Sequence, residues 1–187
     1  YISLQHLSNN GVFVDLIKEF DKQGHNVKVV TPARKGDSVG LFKEAGVDVV
    51  RFKAGQLTNN RSNIQKGIAY IKLLYQFPSA VKRYFSTENF DLIISHSLPP
   101  EIGIIAYRLK RMFKAKFYLM LCEYIWQDSV SLGFFSEKSL ICRYYKYLEK
   151  KMVRYADFIG SPSQRNIDFT LKYYPFTKNK NIRILHH

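Results

Sequence analysis

A histidine between two serines follows an apolar run that predicts a buried strand. The run FDLII leads into SHSLPP, residues 95–100, so His96 and Ser97 stand where the strand ends. An imidazole there suits a general base or a hydrogen-bond donor to a hydroxyl group. The alternative is a polar strand end that caps the following helix. The position at the end of a strand favours a functional role for His96.

An acidic and aromatic cluster follows the next apolar strand in the same way. CEYIWQD, residues 122–128, begins where the run KFYLML ends. Glu123 or Asp128 could accept a proton from a hydroxyl group, and Trp126 could stack on a sugar or another ring. The alternative is loop packing with solvated acids, because two carboxylates five residues apart are weak evidence by themselves.

A third candidate is SNNG, residues 8–11, between the first predicted strand and the first predicted helix. Backbone N–H groups at a helix start suit a phosphate, and Gly11 would permit its close approach. The alternative is an ordinary turn and N-cap, which is favoured on this stretch alone. The chain has neither GxGxxG nor GxxxxGK[ST], so a dinucleotide site and a P-loop are both unsupported.

Short apolar strands alternate with helices, and this pattern places all three clusters in one fold. It predicts an α/β domain over residues 1–187, a doubly wound, Rossmann-like parallel sheet whose ligand crevice lies at the carboxyl ends of the strands. The chain opens inside an apolar run, so we expect the first strand to be clipped. The predicted strands are YISLQ, NVKVVTP, VDVVRF, FDLIISHS, KFYLML, DFIGSPS and NIRIL. The predicted helices are VFVDLIKEFDKQ, VGLFKEAG, residues 64–85 with a kink or split at Pro78, PPEIGIIAYRLKRMF, SEKSLICRYYKYLEKKMVRYA and SQRNIDFTLKYY.

Composition restricts the class of partner. The formal charge is +14, with 29 Lys and Arg against 15 Asp and Glu, which favours nucleic acid, an anionic membrane or a phosphate-bearing substrate. Cys122 and Cys142 form no CxxC pair, so we expect reduced and buried thiols. No run approaches the ~20 apolar residues of a membrane span. No metal-ligand cluster is evident, and no metal or cofactor is predicted.

Two predicted helices, residues 64–85 and 138–154, interleave basic residues with Tyr and Phe. Such faces suit a membrane interface. RNA binding uses the same residue types, but no RRM, KH or zinc-finger signature is present. A solvated helix face is the usual outcome for a single helix.

In this order, the pieces resemble the amino-terminal half of a GT-B glycosyltransferase of the family-four, retaining type. LIKEFDKQGHNVKVVTP is similar to the family's first helix, Gly-His turn and second strand. FDLIISHSLPPEIGIIAYRLKRMFKAKFYLMLCEYIWQD is similar to its strand, turn, helix, strand and acid-x-x-Trp loop. YLEKKMVRYADFIGSPSQ, the most specific match, is similar to its helix with Glu, followed by Ala-Asp, a strand and Ser.

The resemblance implies roles for individual positions. Glu123 and His96 are the implied catalytic residues. Asn10 and Gly11 match a loop that approaches the donor diphosphate, although the family usually carries a Gly pair there. The implied acceptor-binding residues are Ser97, Trp126, Gln127 and Asp128, with Gln127 and Asp128 in place of the frequent Pro-Glu.

The resemblance also implies partners. In the family a second, carboxyl-terminal domain holds the nucleotide sugar, and we expect this chain to be the acceptor-binding half that needs it for activity. The expected acceptor is a lipid-linked or polysaccharide glycan of the bacterial surface. The expected location is cytoplasmic, peripheral at the inner face of the cell membrane, with no nucleic acid bound.

Other readings remain open. The chain could be a non-catalytic module that recruits a partner chain to an anionic lipid or nucleic acid. A cofactor-binding Rossmann domain is disfavoured by the missing glycine fingerprint.

Overall fold

The computed structural model describes residues 1–2, 12–54 and 63–185. These residues fall into two compact units, Tyr1–Asn89 and Phe90–His187. The predicted α/β class is confirmed, with parallel strands and flanking helices. That the two units form a single domain stays a prediction.

The described residues of the first unit form a three-stranded sheet and two helices. Its strands are β1 (Lys28–Pro32), β2 (Gly40–Glu44) and β3 (Val47–Phe52), in the order β1-β3-β2. Strands β1 and β3 are parallel, and their Val residues form a buried cluster with Val14 and Ile17 of α1 (Val12–Lys22). The helix α2 spans Asn63–Phe85.

One prediction for this unit is wrong, and one of two alternatives in another is excluded. VGLFKEAG is not a helix, because β2 pairs antiparallel with β3 and a tight turn at Ala45 and Gly46, with φ of 50° and 89°, joins the two strands. The long helix is not split at Pro78, because α2 continues through it, whereas the alternative of a kink there stays a prediction. Phe77, on the buried face of α2, is completely enclosed and holds this part of the helix in the core.

The second unit holds a four-stranded parallel sheet in the order β4-β5-β6-β7. The strands are β4 (Leu92–His96), β5 (Lys116–Met120), β6 (Phe158–Ser161) and β7 (Asn181–Ile184). All four were predicted. Their crossover connections carry the helices α3 (Glu101–Phe113), α4 (Ile125–Ser131), α5 (Leu140–Tyr155), α6 (Gln164–Tyr173) and a short 3-10 helix, Pro175–Thr177.

The helices α3 and α5 pack closely because a glycine lies at their contact. A Cβ atom on Gly103 would stand 2.3 Å from Cγ of Met152 on α5. Helix α5 begins at an N-cap, where the hydroxyl of Ser139 accepts a hydrogen bond from the Cys142 N–H at 3.2 Å. None of the helices in the described ranges combines the length and apolar character needed to cross a bilayer.

Candidate functional site

The carboxyl ends of β4 and β5 lie side by side, as the sequence predicts for parallel strands. His96 is the partner of Met120 in the sheet register. The residues that follow each strand, Ser97 on one and Glu123 on the other, therefore meet at one edge of the sheet. Both belong to the second unit, so the geometry of this cluster is internal to that unit.

Ser97 joins the two strand ends. Its hydroxyl is buried and accepts hydrogen bonds from the backbone N–H groups of Cys122 and Glu123, each at 3.3 Å. The same hydroxyl donates to Oε2 of Glu123, also at 3.3 Å. Ser97 therefore fixes both the backbone and the carboxylate of Glu123, which is a positioning role that its sequence position alone did not reveal.

His96 and Glu123 form a polar pair. Nε2 of His96 lies 3.4 Å from Oε2 of Glu123. Nδ1 accepts a hydrogen bond from the Leu98 N–H at 3.3 Å, so the ring proton of the neutral imidazole sits on Nε2 and faces the carboxylate. Burial lowers the pKa of His96, and the negative charge of Glu123 offsets part of that effect. The neutral ring is thus the prevailing form near pH ~7.

The two members of the pair differ in access to solvent. The side chain of Glu123 is 45% exposed, whereas that of His96 is 16% exposed. The carboxylate is therefore accessible to a ligand, whereas the less exposed imidazole contacts it from the protein side through Nε2. A carboxylate held by two hydrogen-bond donors is suited to accept a proton from a hydroxyl group or to orient it.

Trp126 lies apart from this pair. It belongs to α4 rather than to a loop, is only 8% exposed, and its Nε1 donates to the Tyr174 hydroxyl at 3.3 Å. The Lys146 ammonium lies 4.0 Å from the centre of its ring. Trp126 therefore does not lie in a loop as expected: the indole packs against α5 and the segment after α6, because its apolar ring is better accommodated there than in water. Its expected contact with an acceptor stays a prediction.

Gln127 and Asp128 also belong to α4. The amide of Gln127 is buried beside Glu149 and Tyr174. Oδ2 of Asp128 accepts the backbone N–H of Tyr124 at 3.2 Å, which caps the start of α4. Asp128 is exposed, so its expected contact with an acceptor stays a prediction.

A buried carboxylate that the sequence did not single out supports α4. Glu149 of α5 is 1% exposed, accepts the Tyr174 hydroxyl at 2.5 Å, and also accepts the backbone N–H of Ile125. Burial is the main cause that raises the pKa of Glu149 to about 7. A signal was available, since Glu149 lies three and four residues before Met152 and Val153, on the apolar face of a basic helix.

A second buried carboxylate, Glu101, stands in the first turn of α3. Its Oε1 accepts a hydrogen bond from the Tyr144 hydroxyl of α5 at 3.2 Å. Burial raises the pKa of Glu101. Acids are common in the first turn of exposed helices, so the sequence carried no sign that this one is enclosed.

The structure does not test the roles predicted for the remaining site residues. Asn10 and Gly11 lie outside the described residues, so their contact with a donor diphosphate stays a prediction. Within residues 1–2, 12–54 and 63–185, no group of three His, Cys, Asp or Glu side chains is placed to share a metal ion. The expectation that the reaction needs no metal is not tested by this finding.

Comparison with known proteins gives the family. The family model described as "Glycosyl transferase 4-like domain" matches residues 11–168. No curated protein matches the chain significantly. Among solved structures, sucrose-phosphate synthase from Thermosynechococcus elongatus is similar in fold, with a TM-score of 0.65 and 14% identity, over 98% of this chain and 84% of that chain. The strand-end cluster thus stands in a GT-B-type α/β fold, and because the family model matches most of its length, the chain belongs to the glycosyl transferase 4-like domain family.

Proposed function

We propose that this domain binds the acceptor in a glycosyltransferase that moves a sugar from a nucleotide sugar to a lipid-linked or polysaccharide glycan of the bacterial surface. The observation that carries the proposal is the Ser97–His96–Glu123 cluster at the carboxyl ends of β4 and β5. Membership of the glycosyl transferase 4-like family supports sugar transfer in general.

The geometry supports different tasks for the two catalytic candidates. The bond from the sugar to the donor diphosphate breaks while a bond to the acceptor oxygen forms, and the acceptor hydroxyl loses its proton. Glu123 accepts that proton or orients the hydroxyl, since its carboxylate is the accessible member of the pair. His96 holds the carboxylate through its Nε2–H, because its Nδ1 already accepts the Leu98 N–H. Protein dipoles and cations stabilise the departing diphosphate.

The donor side of the reaction lies with a second domain in this proposal. That domain holds the nucleotide sugar, and Asn10 and Gly11 approach its diphosphate. No cofactor beyond the donor substrate is required. The domain works at the inner, cytoplasmic face of the cell membrane, where its net charge of +14 favours contact with anionic lipid.

Sugar transfer from a panel of nucleotide sugars to a membrane-extracted lipid acceptor tests the proposal. The chain would be assayed beside the same chain extended to its natural stop. Transfer by the extended chain alone would support an acceptor-binding half that needs a second domain. Transfer by neither, across the whole panel, would contradict the proposal.

A second candidate function is a non-catalytic module that recruits a partner chain to anionic lipid or nucleic acid. The exposed basic and aromatic side chains of α5, which include Tyr147 and Lys150, favour it. Salt-sensitive binding to vesicles or RNA, without transfer by the extended chain, would support this second candidate.

A further inference from the structure

A groove between α3 and α5 concentrates positive charge. It has a volume of about 510 Å³, and its cations are Arg108 and Arg111 of α3 and Lys151 of α5. The two arginines are three residues apart, so they project from the same face of the helix. None of the residues that line the groove is acidic. A groove of this size and charge suits an anionic group.

Aromatic rings form the walls beside these cations. Tyr107 and Tyr155 stack at 3.8 Å between ring centres with an angle of 12°, which joins α3 to the last turn of α5. The Arg111 guanidinium lies 5.9 Å from the Tyr107 ring, and the Lys151 ammonium lies 4.4 Å from the Tyr147 ring. A hydrogen bond with Tyr147 raises the pKa of Lys151, so the ammonium is charged at neutral pH.

The chemistry of the groove favours phosphate. The planar guanidinium group presents paired N–H donors that match two phosphate oxygens, and an ammonium adds a point charge. Ile104 and the exposed Met112 add apolar surface to the same groove. A free inorganic anion has no apolar part that could pack against this surface, whereas an amphiphile has one.

The face of α5 next to the groove exposes aliphatic and aromatic side chains. Leu140 is 79% exposed, and Tyr144 and Tyr147 are also exposed. With Lys151 they follow one another at spacings of three or four residues, so they form one stripe along the helix. Exposed aromatic and aliphatic side chains beside cations are typical of surfaces that lie in a membrane interface.

We propose that the α3–α5 groove is a docking site for the phosphate groups of anionic phospholipid in a bilayer, with the α5 stripe lying in the interface. This inference rests on the membrane contact in the proposed function and assigns that contact to a particular surface. The groove supplies the charge complementarity, and the stripe is the reason to choose a bilayer over a soluble phosphate. The site is distinct from the Ser97–His96–Glu123 cluster.

Co-sedimentation with vesicles tests the assignment without donor, acceptor or transfer, so its outcome is independent of the enzymatic proposal. The full chain would be mixed with vesicles of phosphatidylcholine alone or with added phosphatidylglycerol. The groove variant carries Arg108→Gln, Arg111→Gln and Lys151→Gln. We expect wild-type binding only with phosphatidylglycerol, and a loss of about tenfold or more in partitioning for the groove variant.

A matched control removes the same charge elsewhere in the same unit. Arg165→Gln, Lys172→Gln and Lys178→Gln change three exposed residues on or just after α6. We expect this control to lower partitioning by no more than about twofold. Equal losses in both triple variants would show that binding follows net charge alone and would overturn the site. Circular dichroism melting of each variant identifies a loss of vesicle binding that comes from unfolding. If the groove variant unfolds, Tyr147→Ser, a substitution in the α5 stripe, is measured in its place.

Two further arms separate a bilayer from other phosphate sources. Glycerol phosphate should not displace the chain from vesicles at concentrations comparable to the accessible lipid. Efficient displacement would show a soluble phosphate site and overturn the bilayer assignment. Binding of the wild type to a single-stranded oligonucleotide, lost in the groove variant and without any vesicle binding, would also overturn it.

Discussion

Glu123 is the residue on which the proposed chemistry depends. Its carboxylate is accessible, yet Ser97 and His96 hold it in a defined orientation. A carboxylate that is held in one orientation and is accessible to solvent needs little rearrangement to bind a substrate. The three residues come from two strand ends that are 26 positions apart in the chain, so the strand register decides their geometry.

Glu123→Gln should reduce sugar transfer far more than it reduces stability. The amide keeps the size of the side chain but cannot accept a proton, so we expect transfer by the extended chain to fall about 100-fold or more. The free energy of unfolding should change by no more than about 1 kcal/mol, because the side chain is 45% exposed and the amide can keep the contact with Ser97. Initial transfer rates and urea unfolding measure the two effects.

Glu137→Gln is the control for that substitution. It neutralises another exposed acid, whose partner is the Lys146 ammonium at 2.7 Å. Transfer by this variant should equal that of the wild type. A wild-type rate for Glu123→Gln would remove Glu123 from the chemistry.

The pKa of His96 should lie below its ordinary value of 6.5 and should fall further in Glu123→Gln. Burial disfavours the charged ring, and the carboxylate is the group that opposes this effect. Because the folded pKa is lowered, the stability contributed by His96 is present above pH ~6.5 and is lost as the pH falls. NMR titration of the ring protons measures both values. An unchanged or higher pKa in the variant would contradict the pairing.

Glu149 should make the stability of the second unit decrease as the pH rises. Its pKa is about 7 in the folded state, above its ordinary value of 4.5. The folded state therefore retains a proton that the unfolded chain has lost, so the stability from this group is complete below pH ~4.5 and disappears as the pH rises through about 7. Tyr174 and Asp128 also act on this carboxyl group, the first lowering and the second raising its pKa.

Comparison with Glu149→Gln isolates this contribution. The stability of the wild type relative to the variant should fall by roughly 3 kcal/mol between about pH 5 and about pH 8. Urea unfolding at each pH measures the difference. A constant difference over this range would mean that Glu149 does not titrate there.

At the scale of elements, the contact between α3 and α5 determines where the groove is built. α3 follows directly from the Ser97 turn, and α5 carries Glu149 beneath α4. Gly103 permits the close approach of the two helices, since Met152 fills the space that a side chain would need. Small residues at such contacts are set by packing and not by local propensity.

Gly103→Ala should destabilise the protein by about 1–3 kcal/mol. A Cβ atom there would stand 2.4 Å from Cβ and 3.0 Å from Cα of Met152, so the backbone of α5 would have to move. Thermal and urea unfolding measure the loss.

Gly67→Ala provides the matched control in α2. Among the described residues, no atom outside the neighbouring backbone of α2 lies within 4 Å of a Cβ at Gly67, so the substitution should stabilise the helix by about 0.5–1 kcal/mol. Equal effects of the two substitutions would contradict a steric role for Gly103.

At the scale of the whole molecule, burial protects both thiols. Cys142 is completely buried, and Cys122 is half-buried between β5 and Glu123. Burial and the nearby carboxylate raise the pKa of Cys122 to about 11, which suppresses its reactive thiolate at neutral pH. Neither cysteine is paired in a disulfide.

A disulfide reagent at neutral pH should therefore label the folded chain at least about 100-fold more slowly than the chain in denaturant. Cys142→Ala leaves Cys122 as the single thiol and resolves the two rates. Rapid labelling of Cys122 in the folded state would contradict its raised pKa.

The sequence by itself determined the class of the fold and the position of the cluster. Apolar strands alternating with amphipathic helices allow few arrangements other than an α/β fold, and parallel strands align their carboxyl ends. The polar residues after β4 and β5 were therefore predictable as neighbours. The tertiary structure decided which of them meet. Glu123 contacts His96 and Ser97, whereas Trp126 is buried and donates a hydrogen bond to the Tyr174 hydroxyl.

Predictions from local sequence patterns were wrong or incomplete where strand pairing or side-chain burial decides the structure. VGLFKEAG is apolar enough for a short helix, yet its pairing with β3 makes it a strand. The burial of Glu101 arises from its contact with Tyr144 of α5, which is 43 residues further along the chain and which no local window contains. Side-chain environment depends on these long-range contacts, and they are the part of the molecule that composition and periodicity do not encode.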